Sequence, residues 1–265
     1  MHRMQEAFNR AHSQSRGALV VYLTAGFPTM DESEALMLQA ARSGADIIEV
    51  GIPFSDPIAD GPAIQAAGQT ALQEGANLRD ILRMIASLSA QTDTPIVIMS
   101  GYNPILAYGP ERFAADASAA GVCGVLIADL PPAEGEAWCD AAAEHGLSTV
   151  FLVAPTTTFE RFTQIMQCTT GFVYVLSRMG VTGERETLPP ELPGLVRRVR
   201  ECTSLPIAVG FGISNSEQVS AVCALADGVI VGSAVVRAAA LHDAATSRLE
   251  AVRNTVAELA KACIR

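Results

Sequence analysis

The sequence repeats one unit eight times: a short strand rich in β-branched residues, followed by an alanine-rich segment. This alternation predicts a (β/α)8 barrel, a single domain over residues 1–265 with an N-terminal helical segment. The predicted strands span residues 18–24, 46–51, 95–100, 124–128, 149–153, 172–176, 206–210 and 228–231. A doubly wound open sheet is the alternative, but its phosphate loop follows the first strand, where residues 24–28 (TAGFP) lack the GxGxxG fingerprint.

The segments between the strands place apolar residues three and four positions apart, which is the spacing of an amphipathic helix. Leu78, Ile81, Leu82 and Ile85 show this spacing most clearly. Helices are predicted over residues 33–42, 78–88, 110–120, 133–145, 159–167, 190–202, 216–225 and 244–264. Because 49% of the residues are hydrophobic, the chain can bury a full core between these helices and the strands.

Net charge and the lengths of the apolar runs indicate which classes of partner the protein can bind and where it is located. A net charge of −10 argues against binding to nucleic acid or to an anionic membrane. No apolar run approaches the roughly 18 residues that span a bilayer. The first 17 residues lack the apolar core of a signal peptide. We therefore expect a cytoplasmic protein without a nucleic-acid or membrane partner.

The spacing of cysteines and histidines gives no sign of a metal site. The six cysteines are far apart, without a CxxC pair or a nearby histidine, so we expect free and mostly buried thiols. They are Cys123, Cys139, Cys168, Cys202, Cys223 and Cys263. The four histidines lie away from the C-terminal ends of the predicted strands, where barrel enzymes place their active sites: His2, His12, His145 and His242. Carboxylates must therefore carry any proton transfer.

Residues 47–62 (IIEVGIPFSDPIADGP) contain the most unusual carboxylate, because Glu49 interrupts an apolar strand. Strand alternation puts Glu49 on the face opposite Ile48 and Val50. If that face lines the bore of the barrel, burial raises the pKa of Glu49 toward neutrality, which suits an acid that must also act as a base. The alternative is a structural ion pair or a position at the solvent-exposed rim.

Two glycine-rich segments follow the last two strands, at residues 209–214 (VGFGIS) and 231–236 (VGSAVV). Barrels often bind a phosphate at this location through backbone N–H groups and a helix N-terminus. Tight turns alone are the other explanation. After the sixth strand, residues 177–192 form a long polar loop that is either a lid over a substrate or an ordinary surface loop.

Tyr22 and Tyr174 lie near the C-terminal ends of the first and sixth strands. If both side chains point into the bore, they form a flat apolar slot beside Glu49. Aromatic residues that merely fill the barrel core are the commoner case.

Several motifs together resemble one family. In chain order they are EVGIPFSDPIADGP, YNPIL, LIADLPPAE, YVLSRMGVTG, VGFGIS and VGSAVV. They resemble the α subunit of tryptophan synthase, over residues 8–237. The resemblance implies a lyase that cleaves indole-3-glycerol phosphate to indole and glyceraldehyde 3-phosphate by retro-aldol chemistry, the α reaction of tryptophan biosynthesis.

The resemblance also implies roles for single residues. Glu49 matches the catalytic acid and base, and Asp60 matches the carboxylate that binds the indole N–H and stabilises the protonated ring. The implied substrate-binding positions are Tyr22, Leu126, Leu152, Tyr174, Thr182, Gly183, Gly212, Gly232 and Ser233. Among them, Thr182 matches a lid residue that orients Asp60. Leu126 and Leu152 match walls of the indole pocket.

The resemblance further implies a partner, the β subunit, in an α2β2 complex. Pyridoxal phosphate is expected in the β subunit, and no cofactor or metal is expected in this chain. Positions matching the family's contacts with the β subunit are Pro53, Asp56, Asn103 and Pro104. The flanking Ser55 and Pro57 also favour a turn or interface role for Asp56 over a catalytic one. Gly101 departs from the family, which often has an aromatic residue there.

Two other functions fit parts of the pattern. A phosphosugar isomerase or epimerase would share the phosphate site, although an epimerase more often needs histidine metal ligands at the strand ends. A non-catalytic subunit that activates another enzyme would need neither Glu49 nor Asp60.

Overall fold

The computed structural model describes residues 3–57, 60–178 and 188–265. Its strands are β1 (Ala18–Thr24), β2 (Ile47–Gly51), β3 (Ile96–Ser100), β4 (Val122–Ile127), β5 (Ser148–Val153), β6 (Val173–Leu176), β7 (Ile207–Gly210) and β8 (Gly228–Val231). They run parallel and pair in chain order, and β1 also pairs with β8, which closes the barrel. The predicted (β/α)8 fold is confirmed, and every strand lies within two residues of its predicted bounds.

A layer of helices surrounds the barrel. It consists of α1 (Arg3–Ser13), α2 (Met30–Arg42), α3 (Pro62–Gln73), α4 (Leu78–Ser89), α5 (Tyr102–Tyr108), α6 (Pro110–Ala119), α7 (Glu136–Glu144), α8 (Phe159–Cys168), α9 (Leu192–Cys202), α10 (Ser216–Cys223), α11 (Ser233–Ala240) and α12 (Ala245–Ala262). The predicted segment 133–145 began too early, because Pro132–Glu134 forms a separate 3₁₀ turn before α7.

Three helices, α3, α5 and α11, lie outside the predicted segments. In α3 the buried stripe is made mostly of Ala67, Gly68 and Ala71, so its apolar periodicity is weak. Only seven residues form α5. The third, α11, starts inside the glycine-rich VGSAVV segment, which we interpreted as a phosphate site or a tight turn.

Helix α1 closes the end of the barrel where the strands begin. Gly124 and Gly171 leave room for Met4, because a Cβ at either position would lie within 2.7 or 2.9 Å of the Met4 Cε atom. Further along the helix, the Phe8 ring centroid lies 5.6 Å from that of Phe172. Helix α1 therefore fills the bore at the N-terminal ends of the strands, and cavities form at their C-terminal ends.

Ionic and backbone contacts fasten the same end of the barrel. Arg16 donates to both Asp46 carboxylate oxygens, at 2.5 and 2.7 Å. Asp46 also accepts from the Leu19 backbone N–H at 2.9 Å. The backbone N–H of Arg265 donates to the Ser15 carbonyl at 3.0 Å, which joins the two ends of the chain.

Trp138, the single tryptophan, lies in α7 and is 1% exposed. Its ring centroid is 5.8 Å from that of Phe113 in α6. The pair belongs to the contact between these two outer helices and lies outside the bore.

The six cysteines are free, as predicted, but the expectation that most are buried is wrong. Only Cys223 and Cys263 are buried, whereas Cys202 is exposed and the other three are partly exposed. Four of them lie in amphipathic helices, and apolar neighbours in the sequence did not reveal which side of each helix faces the barrel. Within the described residues, no helix is both long and apolar enough to cross a membrane.

Candidate active site

Glu49 lies inside the barrel, near the C-terminal end of β2. It is 1% exposed and neighbours Tyr22 of β1 and Val97 of β3 in the strand register. Among residues 3–57, 60–178 and 188–265, no group forms a hydrogen bond with either carboxylate oxygen, so the alternative of an ion pair is wrong for these residues. The alternative of an exposed position at the rim is wrong because the side chain is buried. Burial, and secondly the charge of Asp60, raise the pKa of Glu49 from 4.5 to about 8. The carboxyl group therefore keeps its proton at neutral pH.

Asp60 lines the same cavity from the loop that follows β2. Its backbone N–H donates to the Pro57 carbonyl at 3.1 Å, and its carbonyl accepts from the Gln65 side-chain amide at 2.8 Å. These bonds fix the residue just before α3. Burial raises the pKa of Asp60 from 3.8 to about 6. At neutral pH, Asp60 is mostly ionised while Glu49 is mostly protonated.

Tyr22 and Tyr174 are buried and line this cavity with Glu49, so both point into the bore as expected for a slot. Glycines on the adjacent strands make room for their hydroxyl groups. A Cβ at Gly51 would lie 2.0 Å from the Tyr22 hydroxyl, and one at Gly210 would lie 2.4 Å from the Tyr174 hydroxyl. Burial, together with the nearby carboxylates, raises the pKa of both tyrosines well above the ordinary value, so both stay neutral.

The two glycine-rich turns complete the wall of the cavity. Gly212 follows β7, whereas Gly232 and Ser233 follow β8, and all three line the cavity with Glu49. The φ angle of Gly212 is +80°, a conformation that favours glycine. Because α11 begins at Ser233, the N-terminus of this helix lies at the cavity, where its first backbone N–H groups can bind an anion.

A second depression opens beside the cavity and shares Tyr22 and Asp60 with it. Asp129, one of its lining residues, accepts the first backbone N–H of α5 at 2.7 Å. No role was predicted for Asp129, although its position two residues after the end of β4 was a signal. A Cβ at Gly101 would lie 3.5 Å from the Asp129 carboxylate, so glycine leaves this depression wider than an aromatic side chain would.

Comparison with known proteins decides the family. Residues 8–264 match the family model described as tryptophan synthase alpha chain. The chain belongs to the tryptophan synthase alpha chain family. The alpha chain of Solibacter usitatus is 46% identical over 237 residues, which cover 89% of each chain. That of Geobacter sulfurreducens is 47% identical over 237 residues, which cover 89% of this chain and 90% of that one.

Solved structures extend the similarity to the alpha-chain fold. A structure of Mycobacterium tuberculosis tryptophan synthase in space group F222 superposes with a TM-score of 0.92 at 40% identity. The match covers 100% of this chain and 99% of that chain. The tryptophan synthase alpha subunit of Legionella pneumophila strain Paris superposes with a TM-score of 0.90 at 34% identity, covering 99% and 98%. The resemblance found in the sequence motifs is thus confirmed.

Four residues implied by similarity to alpha chains lie apart from the Glu49 cavity or outside the described residues. Leu126 is fully buried in β4, between Met99 and Val150 in the strand register. Leu152 is partly exposed and lines a neighbouring depression at the C-terminal ends of β4 and β5. Thr182 and Gly183, with most of the loop interpreted as a lid, lie outside the described residues.

Two of the residues expected to contact the β subunit, Pro53 and Asp56, lie in the loop after β2. The other two, Asn103 and Pro104, lie in the first turn of α5, after β3. Asp56 and Asn103 are exposed, whereas Pro53 and Pro104 are partly buried. The Ser55 hydroxyl donates to the Asp56 carboxylate at 2.6 Å, consistent with a turn at this position.

Proposed function

We propose that this alpha chain cleaves indole-3-glycerol phosphate to indole and glyceraldehyde 3-phosphate, with Glu49 as the catalytic acid and base and Asp60 as the residue that stabilises the protonated ring. The observation that carries the proposal is one cavity lined by two carboxyl groups whose pKa values differ, about 8 for Glu49 and about 6 for Asp60. Such a pair supplies one proton donor and one negative charge at the same pH.

The chemistry requires a proton at C3 of the indole ring. Protonated Glu49 gives its proton to C3, and the ring becomes a cation with its charge centred near the nitrogen. Ionised Asp60 accepts a hydrogen bond from the ring N–H and stabilises this cation. The Glu49 carboxylate then removes the proton of the adjacent side-chain hydroxyl, the bond from C3 to that carbon breaks, and its electrons return to the ring. Indole and an aldehyde result, and Glu49 is again protonated.

The phosphate of the substrate needs local binding groups, because a net charge of −10 repels a dianion. We assign this role to the backbone N–H groups around Gly212, Gly232 and Ser233, at the N-terminus of α11. Tyr22 and Tyr174 provide neutral walls beside the carboxylates, since their raised pKa values keep both hydroxyls protonated. Leu126, Leu152, Thr182 and Gly183 are proposed as further substrate-binding residues from the family resemblance.

We also propose that the chain binds a tryptophan synthase β subunit in an α2β2 complex, in which pyridoxal phosphate belongs to the β subunit. Family membership and the exposure of Asp56 and Asn103 beside the active-site cavity support this arrangement. The exposed side chain of Leu106, at 54%, adds apolar surface to α5, the helix that carries Asn103. We propose that this complex is cytoplasmic, because it serves the biosynthesis of an amino acid.

An indole-release assay on the purified chain tests the lyase proposal. Wild-type protein should release indole from indole-3-glycerol phosphate, and Glu49→Gln should reduce turnover by at least about a hundredfold, the usual contribution of a positioned acid. Glu144→Gln, which changes an exposed glutamate of α7, is the matched control and should leave turnover unchanged.

Adding a β subunit separates the remaining alternatives. Strong stimulation supports the complex, whereas fast turnover by the chain alone indicates a free-standing lyase. Near-normal turnover by Glu49→Gln would refute the mechanism, and a wild-type chain that stimulates a β subunit without releasing indole would be a non-catalytic activator.

A further inference from the structure

The end of β6 holds the turn after β7 at three points. The backbone N–H of Ser177 donates to the Gly210 carbonyl at 2.9 Å. The Tyr174 hydroxyl lies against Gly210, at a distance that excludes any side chain there. The Ser177 hydroxyl donates to the carbonyl of Phe211, the next residue along the turn.

Phe211 has a backbone conformation that is rare for a residue with a side chain. Its φ angle is +72°, in the left-handed region, and Gly212 follows with a φ of +80°. Crowding between Cβ and the backbone makes this conformation unfavourable for phenylalanine unless neighbouring groups hold it. Two contacts do so: the Phe211 ring meets the Tyr174 ring edge-on, 5.8 Å between centroids, and the Phe211 carbonyl accepts from Ser177.

Both partners of that hydrogen bond are buried. Ser177 is 2% exposed and Phe211 is 8% exposed. Removing the hydroxyl would leave the Phe211 carbonyl without its partner away from water, which disfavours the present backbone conformation. Ser177 itself lines a separate depression with Leu192 and Leu195, so it acts on the cavity through Phe211.

We propose that Ser177 is a positioning residue for the anionic group of the substrate. Its hydroxyl holds Phe211 in the left-handed conformation and thereby fixes Gly212 and Ile213 in the cavity wall, where their backbone can bind a phosphate monoester. The identity of that anion rests on the proposed function.

Calorimetric binding of glycerol 3-phosphate tests the proposal without turnover. Ser177→Ala should raise the Kd about tenfold, the effect of one lost buried hydrogen bond. Ser177→Thr keeps the hydroxyl and should stay within about threefold of wild type. In a Phe211→Gly background, where positive φ carries no penalty, Ser177→Ala should change the Kd by less than about twofold. A merely structural role would produce the same change in both backgrounds.

A crystal structure of the Ser177→Ala protein shows directly whether the backbone of the turn after β7 has changed. We expect Phe211 to leave the left-handed region and its ring to move off Tyr174. An unchanged turn, an unchanged Kd, or an equal loss in the Phe211→Gly background would overturn the proposal, as would a wild-type chain that does not bind glycerol 3-phosphate. A wild-type chain that binds this ligand but releases no indole would refute the lyase function and leave the Kd comparison valid.

Discussion

Replacing Glu49 with glutamine should stabilise the protein at alkaline pH while removing its activity. Burial raises the pKa of Glu49 from 4.5 to about 8 in the native state. Between these values the native state holds a proton that the unfolded chain has released, so the free energy of unfolding falls as the pH rises. Each unit of difference is worth about 1.4 kcal/mol, so the loss reaches at most about 5 kcal/mol above pH 8. Because glutamine does not titrate, the Glu49→Gln protein does not lose this free energy of unfolding.

Urea denaturation at three pH values measures this effect. At pH 5 the wild type and Glu49→Gln should have similar free energies of unfolding. At pH 7 the variant should be more stable by up to about 3 kcal/mol, and at pH 8.5 by up to about 5 kcal/mol. Glu144→Gln, at an exposed position of α7, is the control and should leave the free energy of unfolding close to that of wild type.

A pH-independent difference between wild type and Glu49→Gln would contradict the reasoning. So would a variant less stable than wild type at pH 8.5. Either result would mean that the Glu49 carboxylate is well solvated or paired in the folded protein, and the argument for a protonated acid at neutral pH would fail with it.

The pH profile of kcat/KM for indole release should be bell-shaped, with limbs near 6 and 8, because Asp60 must be ionised and Glu49 protonated. A profile that is flat between pH 5 and 9 would exclude this pair. Gly51→Ala should lower the free energy of unfolding by about 1–3 kcal/mol, since its Cβ would lie 2.0 Å from the Tyr22 hydroxyl; an unchanged urea midpoint would show that the ring moves freely. Asp46→Asn breaks a mostly buried, bidentate ion pair and should cost about 3 kcal/mol in the same measurement, whereas a loss below about 0.5 kcal/mol would mark the pair as energetically neutral.

The fold was predictable because its signals are local. A window of about five residues is enough to predict each strand. Eight strands that alternate with helices then indicate a barrel. The helices with a strong apolar stripe, such as α4, were found for the same reason. By contrast, α3 buries mainly alanine and glycine, and these residues carry little periodic contrast.

The site was predictable only in part, because much of it depends on contacts between distant segments. Strand alternation indicated which face of β2 carries Glu49. Whether its carboxylate is unpaired in the bore, forms an ion pair or reaches solvent depends on the residues around it, which belong to other strands and loops. Nothing in VGFGIS indicates that Phe211 has a positive φ angle, since that depends on Ser177 and Tyr174 of the neighbouring strand segment. The position of Asp129 after β4 pointed to the site, but for the same reason its bond with the first N–H of α5 was not predictable.

Trp138 gives the protein a fluorescent group that is separate from its reaction. Its indole ring is packed against Phe113 in the outer helices, so its emission should shift to longer wavelength when unfolding exposes it to water. Because the ring lies outside the bore, filling the cavity beside Glu49 should leave that emission unchanged. Intrinsic fluorescence can therefore follow the urea experiments in the presence of a non-fluorescent ligand, and the loss of structure can be timed independently of occupancy.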